Sequence, residues 1–136
     1  MIEVRLARPT DAAALMRLNA AFNGEDLGDE AHIAASLQYN PAERAWLLWV
    51  DGRPAGFLCA QITRSMCYPF PSAEITELYV GESARHMGGA VALIRCALAE
   101  LSALGARSVR VLTGQGNTPA RALYEKVGFT LKAEAL

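Results

Sequence analysis

The hydrophobic and polar positions at the start of the chain predict one strand followed by two helices. Polar and apolar residues alternate over residues 3–7, as they do in a strand with one buried face. Apolar residues then recur at helical spacing between Thr10, a candidate N-cap, and Gly24, where we expect the first helix to end. A shorter helical pattern surrounds Ile33 and ends at Asn40-Pro41, because the residue before a proline is biased away from the helical conformation.

The middle of the chain has the pattern of an antiparallel hairpin followed by one more strand. Hydrophobic runs at residues 45–50 and 54–63 flank Asp51-Gly52, a dipeptide that favours a tight hairpin turn. After a break that contains two prolines, residues 73–80 predict a third strand of this group.

The last part of the chain predicts two helices that alternate with two strands. A long helical pattern begins near Gly88 and ends at Gly105, and residues 108–112 predict a strand. Asn117-Thr118-Pro119 has the composition of a helix start, and a final strand is predicted at residues 129–132. The full order is β-α-α-β-β-β-α-β-α-β, which indicates an α/β (α+β) fold with a mixed central sheet flanked by helices.

Composition narrows the class of protein. The chain has 136 residues, of which 52% are hydrophobic and 20% are charged, so we expect a single folded domain over residues 1–136. A net charge of −1 argues against a nucleic-acid-binding protein. The three cysteines form no Cys-x-x-Cys pair, so we expect reduced thiols and no metal. The N-terminus lacks the apolar core of a signal peptide and no run is long enough to span a membrane, so we expect a cytoplasmic protein.

The clearest candidate for chemistry is the predicted strand, loop and helix that begin at residue 73. The first N–H groups of such a helix have no intrahelical partners, and the helix dipole adds partial positive charge there. Arg85 adds a full positive charge, and Gly88-Gly89 allow a ligand to approach the backbone. This combination is typical of a phosphate or pyrophosphate site. The glycine spacing matches neither of the two common nucleotide-binding glycine motifs. By itself it is therefore equally consistent with a phosphate site and with a helix start whose small residues serve packing.

Three short motifs in order resemble those of the GNAT N-acetyltransferase superfamily. Arg85-x-x-Gly88-x-Ala90 is similar to the pyrophosphate loop of that family and follows Glu77-Leu78-Tyr79-Val80, which resembles its fourth strand. Asn117-x-x-Ala120-x-x-x-Tyr124-x-x-x-Gly128-Phe129 resembles a second family motif. Arg8-Pro9-x-Asp11 resembles the first strand-to-helix junction. The element order matches over nearly the whole chain.

The resemblance implies the GNAT acyl-CoA N-acyltransferase fold with acetyl-CoA as the donor. The pyrophosphate would lie on the glycine loop, and the pantetheine amides would pair with the edge of the fourth strand like an added strand. The residues implied to hold the donor belong to that strand edge, the loop and the last helix: Leu78, Tyr79, Val80, Arg85, His86, Met87, Gly88, Gly89, Ala90, Asn117, Ala120 and Tyr124.

The same resemblance implies catalytic roles for Tyr124 and Glu77. Tyr124 would protonate the departing thiolate, and Glu77 would take a proton from the incoming amine, directly or through water. Each residue also has a structural alternative, as a packed helix tyrosine and as an exposed strand glutamate, and Asn117 has one as an N-cap. His32 and His86 are weaker candidates for the base. No Cys-His-Asn or Ser-His-Asp order supports an acyl-enzyme, so we expect direct attack in a ternary complex.

The acceptor is expected to be a primary amine of a small cationic molecule, such as a polyamine, an aminoglycoside-like compound or an amino acid. Carboxylates that would attract such an amine are Glu25, Asp26 and Glu74. Four aromatic residues are candidates for a wall of the site: Trp46, Trp49, Tyr68 and Phe70. Alternatives are a protein lysine or N-terminal acetyltransferase, a non-catalytic acyl-CoA sensor, and an interaction protein that has lost the donor.

Two departures from the family pattern carry further expectations. Gly89 stands where many members have a larger apolar residue, so the loop is expected to hold the donor more loosely. Few residues follow the last predicted strand, so we expect a homodimer whose partner covers the open side of the sheet.

Overall fold

The computed structural model describes residues 1–25, 28–114 and 116–130. Its helices and strands, in chain order, are β1 (Ile2–Leu6), α1 (Ala12–Asn23), α2 (Glu30–Tyr39), β2 (Glu43–Val50), β3 (Arg53–Thr63), β4 (Ser72–Val80), α3 (Gly89–Ala103), β5 (Val109–Val111) and α4 (Thr118–Lys126). Short 3-10 turns precede α1 at Pro9–Asp11 and α3 at Glu82–Met87. None of the described helices is both long enough and apolar enough to cross a bilayer.

The strands form one mixed sheet in the order β1-β2-β3-β4-β5. Each of the strands β1 to β3 pairs antiparallel with the next strand in the chain, and β5 pairs parallel with β4 after the α3 crossover. The β2–β3 turn is the tight turn predicted at Asp51-Gly52, since both residues have positive φ, 48° and 80°. The α+β class with a mixed sheet flanked by helices is therefore confirmed.

Strand alternation divides the core between the two faces of the sheet. On β2, the fully buried Trp46 and Leu48 face α3, where Leu93, Ile94 and Leu101 meet them. The intervening Leu47 belongs to a second cluster on the opposite face, together with α1 and α2. The helices thus form two separate apolar layers, α3 with α4 on one side and α1 with α2 on the other.

The start of α1 differs from the prediction that Thr10 is its N-cap. Thr10 lies inside the 3-10 turn, and α1 begins at Ala12. Asp11 is responsible, because its buried carboxylate accepts hydrogen bonds from the Arg8 N–H (2.9 Å) and from Arg5 Nη1 (3.2 Å). The ion pair between Asp11 and Arg5 therefore ties the turn to β1. A Thr10 hydroxyl acting as the N-cap would carry no charge and could not form this pair.

The predicted last strand at residues 129–132 is not a strand where the structure describes it. Phe129 and Thr130 have no strand pairing, and residues 131 and 132 lie outside the described residues. Phe129 instead closes the end of α4, where its N–H donates to the Tyr124 carbonyl (2.9 Å).

The first residue of α3 lies against the side chain of a core leucine. A Cβ at Gly89 would collide with Leu48 Cδ2, and Leu48 is fully buried. A residue with a side chain at this position would therefore push α3 away from β2. The small residue that departs from the family pattern is explained by the size of its neighbour.

Gly89→Ala should destabilise the protein by about 1–3 kcal/mol, because the added methyl group overpacks the contact with Leu48. In a Leu48→Ala background, itself destabilised by about 2–5 kcal/mol, the same change should cost much less. Denaturant unfolding of the four proteins of this double-mutant cycle measures the coupling. Additive effects would show that Leu48 is not the reason for the glycine.

Candidate active site

Strand β4 is paired along its whole length with β3 but only at its beginning with β5. The parallel pairing joins Ala73, Glu74 and Ile75 to β5 and ends there. Across the described residues, nothing pairs with the β5 side of β4 beyond this point, so the edge formed by residues 76–80 is open. An open strand edge presents backbone N–H and C=O groups to which an extended ligand can add.

A β-bulge lies at the point where the β4–β5 pairing ends. Cys59 of β3 pairs with Glu77 and Ala60 pairs with Ile75, so Thr76 is an extra residue. The Thr76 hydroxyl donates to the Cys59 carbonyl (3.3 Å). The bulge reverses the alternation, because Ile75 faces α3 whereas Tyr79 belongs to the cluster beneath α1 and α2.

Glu77 lies on the α1 side of β4 and is held by that helix. Asn23 Nδ2 donates to Glu77 Oε1 (3.2 Å) and also to Asn19 Oδ1 (2.8 Å) one turn earlier in α1. The predicted base is therefore positioned by a side-chain amide that is itself fixed by a second amide. A carboxylate in this position can accept a proton from a group approaching from the α1 side.

Tyr124 lies on the opposite side, in the apolar layer that includes Leu78 and Val80. Its ring packs edge-on against Phe129, with centroids 5.8 Å apart and planes at 71°. Burial raises the pKa of the Tyr124 hydroxyl above its usual value of 10.0. The phenol therefore stays protonated at neutral pH and is able to donate a proton or a hydrogen bond.

The loop between β4 and α3 is tied to the end of β4. The Gly81 N–H donates to the Ala55 carbonyl (2.8 Å), and Arg85 Nε donates to the Val80 carbonyl (3.1 Å). Gly88 then caps α3 with φ +77°, and a Cβ there would meet no atom within 4 Å. The start of α3 at Gly88, where the anion site is predicted, is thus exposed to solvent.

Other residues of the predicted donor site lie in the turn before α3 and at the starts of α3 and α4. His86 and Met87 are exposed in the 3-10 turn, and Ala90 follows in the first turn of α3. Asn117 is the N-cap of α4, since its Oδ1 accepts from the Ala120 N–H (3.3 Å). The capping role predicted for Asn117 is confirmed, and its donor-binding role stays a prediction.

The carboxylates predicted to attract the acceptor lie in different surroundings. Glu25 is exposed just after α1, and Asp26 lies outside the described residues. Glu74 is paired with Arg110 across β4 and β5, with Nε to Oε1 at 2.8 Å. Its charge is therefore compensated within the sheet, which makes it a weaker anchor for an amine than Glu77. His32 is exposed in the first turn of α2.

The aromatic residues beside Glu77 are not those expected from the sequence. Trp46 is buried beneath α3, and Phe70 lies in the β3–β4 loop beneath the Arg107 guanidinium (4.3 Å). Phe22 of α1 instead stacks on Tyr79 of β4, with centroids 5.3 Å apart and planes at 29°. Helical spacing marked Phe22 as part of a buried face, and only its position next to the end of the helix hinted at another role.

The half-buried cysteines are poorly suited to forming an acyl-enzyme. Burial, together with the nearby Glu43 and Glu77 carboxylates, raises the pKa of the Cys59 thiol to about 12. Burial and Glu100 also raise the pKa of the Cys96 thiol. Because the thiolate is the nucleophilic form, the raised pKa makes each thiol a weaker nucleophile at neutral pH.

The comparison with known families identifies the chain. Residues 12–129 match the acetyltransferase (GNAT) family, and the protein belongs to that family. The prediction made from the loop, strand and last-helix motifs is confirmed.

One curated relative matches part of the chain. The mycothiol acetyltransferase of Corynebacterium glutamicum is 44% identical over 63 residues, which are 44% of this chain and 22% of that protein. The chain therefore aligns with about a fifth of the length of this relative.

Solved structures share the fold over almost the whole chain. An aminoglycoside acetyltransferase from an uncultured soil metagenomic sample, in complex with sisomicin, has a TM-score of 0.87 at 16% identity, covering 99% of this chain and 92% of that one. A ribosomal-protein-alanine N-acetyltransferase from Brucella melitensis has a TM-score of 0.81 at 19% identity, covering 100% and 96%. At such identities the likeness establishes the fold.

Gly88→Val should weaken acetyl-CoA binding about tenfold or more, because the side chain would project over the exposed start of α3. Gly52→Val is the matched control, since Gly52 also has open space and a similar φ of +80° but lies in the distant hairpin turn. Titration calorimetry with acetyl-CoA compares the two variants. Equal dissociation constants for both would place the donor elsewhere.

Proposed function

We propose that the protein transfers an acetyl group from acetyl-CoA to the primary amine of a small cationic molecule, by direct attack in a ternary complex. The observation that carries the proposal is the arrangement around β4. Its open edge is flanked by Tyr124 on one side of the sheet and by Glu77 on the other. The donor and the acceptor would approach this edge from different sides.

The donor would be held by backbone groups. The pyrophosphate would take the N–H groups at the start of α3, with Arg85 beside them, and the pantetheine amides would pair with Leu78, Tyr79 and Val80. The tether between Arg85 and the Val80 carbonyl supports this assignment, because it joins the phosphate loop to the strand end that would receive the pantetheine. An N–H of β4 would then stabilise the thioester oxygen as it becomes negative.

The reaction requires one new bond, one broken bond and two proton movements. The amine nitrogen attacks the thioester carbon, and the carbon–sulfur bond then breaks. Glu77 accepts the proton that the amine loses, directly or through water, and Tyr124 supplies a proton or a hydrogen bond to the leaving thiolate. Glu77 lies on the α1 side of β4 and Tyr124 on the α3 side, which supports the assignment of two different roles to them.

A cationic acceptor is favoured by the charges on the α1 side. The Glu77 carboxylate of β4 accepts a hydrogen bond from Asn23 at the end of α1. Glu25 and Asp26 follow that helix in the chain. Solved structures with this fold include enzymes named for aminoglycosides and for a ribosomal protein. The small-molecule acceptor is preferred here because the Glu77 carboxylate lies near the stacked rings of Phe22 and Tyr79, which offer a compact surface for a small amine.

Release of free CoA thiol from acetyl-CoA across a panel of amines tests the proposal directly. The panel contains polyamines, aminoglycosides, amino acids and a lysine peptide. Release that depends on one class of small amine is the expected result. Release with the peptide alone would establish a protein acetyltransferase, and a shift of the melting temperature by acetyl-CoA without any release would establish a binding module.

Tyr124→Phe should lower turnover by about 10²-fold while leaving acetyl-CoA binding nearly intact, because the ring stays packed and only the acidic hydroxyl is lost. Tyr39→Phe, an exposed tyrosine at the end of α2, is the matched control. Steady-state kinetics and calorimetry separate turnover from binding. Unchanged turnover in the Tyr124 variant would remove this residue from the mechanism.

A further inference from the structure

We infer that Phe22 is a specificity-determining residue of the acceptor site, which selects amines that carry a second positive charge. The inference rests on the proposed function, since it concerns the acceptor of that reaction. Its physical basis is that an aromatic face attracts a cation, most strongly where the cation loses part of its water and a carboxylate is near.

The position of Phe22 links it to the predicted base. Phe22 and Asn23 are consecutive in the last turn of α1, and Asn23 donates to Glu77. The Phe22 ring stacks on Tyr79, which is two residues after Glu77 on the same face of β4. An amine that reaches Glu77 from the α1 side would therefore pass the Phe22 ring.

The ring is available to a ligand. Tyr79 covers one of its faces, and Phe57 meets it at 76° with centroids 6.2 Å apart. The residue is nevertheless 42% exposed, so part of the ring remains open to solvent.

Two other aromatic residues of the described chain have an arginine over the ring, whereas Phe22 is among those that have none. The Arg5 guanidinium lies over Trp49 (4.5 Å), and the Arg107 guanidinium lies over Phe70 (4.3 Å). In the described part of the chain, no such contact is found at Phe22. A cation of the acceptor could lie over the Phe22 ring as an arginine lies over the rings of Trp49 and Phe70.

The negative charge nearby favours the same class of ligand. Glu77 is bound by a neutral amide rather than by a cation, and Glu25 follows α1 on the surface. One amine of a diamine would reach Glu77 for reaction, and the second, still protonated, would lie on the Phe22 ring. A monoamine with a neutral tail would gain only the first of these contacts.

The test compares 1,4-diaminobutane with 1-aminobutane as acceptors in the thiol-release assay. The wild-type kcat/KM should be higher for the diamine, and Phe22→Leu should lower that value roughly three- to thirtyfold, as expected for loss of a cation–π contact. Values for the monoamine and the KM for acetyl-CoA should change less than about twofold. Phe22→Trp, which keeps an aromatic ring, should retain the preference for the diamine over the monoamine. Tyr39→Leu, at another exposed aromatic residue, should leave this preference unchanged.

A measurement on the wild-type protein keeps the inference testable if the leucine variant does not fold. Tetramethylammonium, a cation without hydrogen-bond donors, should inhibit competitively against the diamine and not against acetyl-CoA. Sodium chloride at equal ionic strength should not inhibit in this way.

The outcomes separate the inference from the proposed function. Equal losses for both amines in Phe22→Leu, or no wild-type preference for the diamine, would overturn the inference and leave the acetyltransferase intact. Transfer to neither butylamine, with transfer to another amine class, would do the same. Absence of thiol release with every amine would overturn the proposed function and the inference together.

Discussion

The bulge at Thr76 is the constraint on which the candidate site depends. Without the extra residue, strict alternation from Ile75 would direct Glu77 and Tyr79 towards α3, into the apolar layer formed by Leu93 and Ile94. A carboxylate buried there without a partner would cost several kcal/mol or would lose its charge. The bulge instead directs Glu77 to the α1 side, where an asparagine amide meets it.

The same point in β4 also marks the end of its pairing with β5. One edge of the strand is therefore closed where the sheet needs stability and open where the backbone is needed for a ligand. Because β3 continues to pair along the open segment, the exposed edge remains rigid. The donor site proposed for this edge would thus need little rearrangement on binding, which lowers the entropic cost of association.

The helix proposed to receive the phosphate, α3, is positioned by its packing on the core as well as by the loop before it. Gly89 lets α3 lie directly on Leu48, and Arg85 holds the loop against the end of β4. The expected looser loop, inferred from the small residue at 89, is thus opposed by a close contact beneath it. The first turn of α3 would therefore both pack on Leu48 and offer its N–H groups to the proposed phosphate.

Features that depend on near neighbours in the chain were predictable from the sequence. The Asp51-Gly52 turn, the Asn117 cap of α4, most of the helix and strand positions and the family motifs depend on residues a few positions apart. The phase of β4 after Thr76 and the pairing of Glu74 with Arg110 were not predictable. The stacking of Phe22 on Tyr79 joins residues 57 positions apart, and no local pattern encodes it. The sequence by itself determined the elements and the family, whereas the tertiary structure decided which side chains meet at β4, because strand register and helix placement are set by contacts between distant parts of the chain.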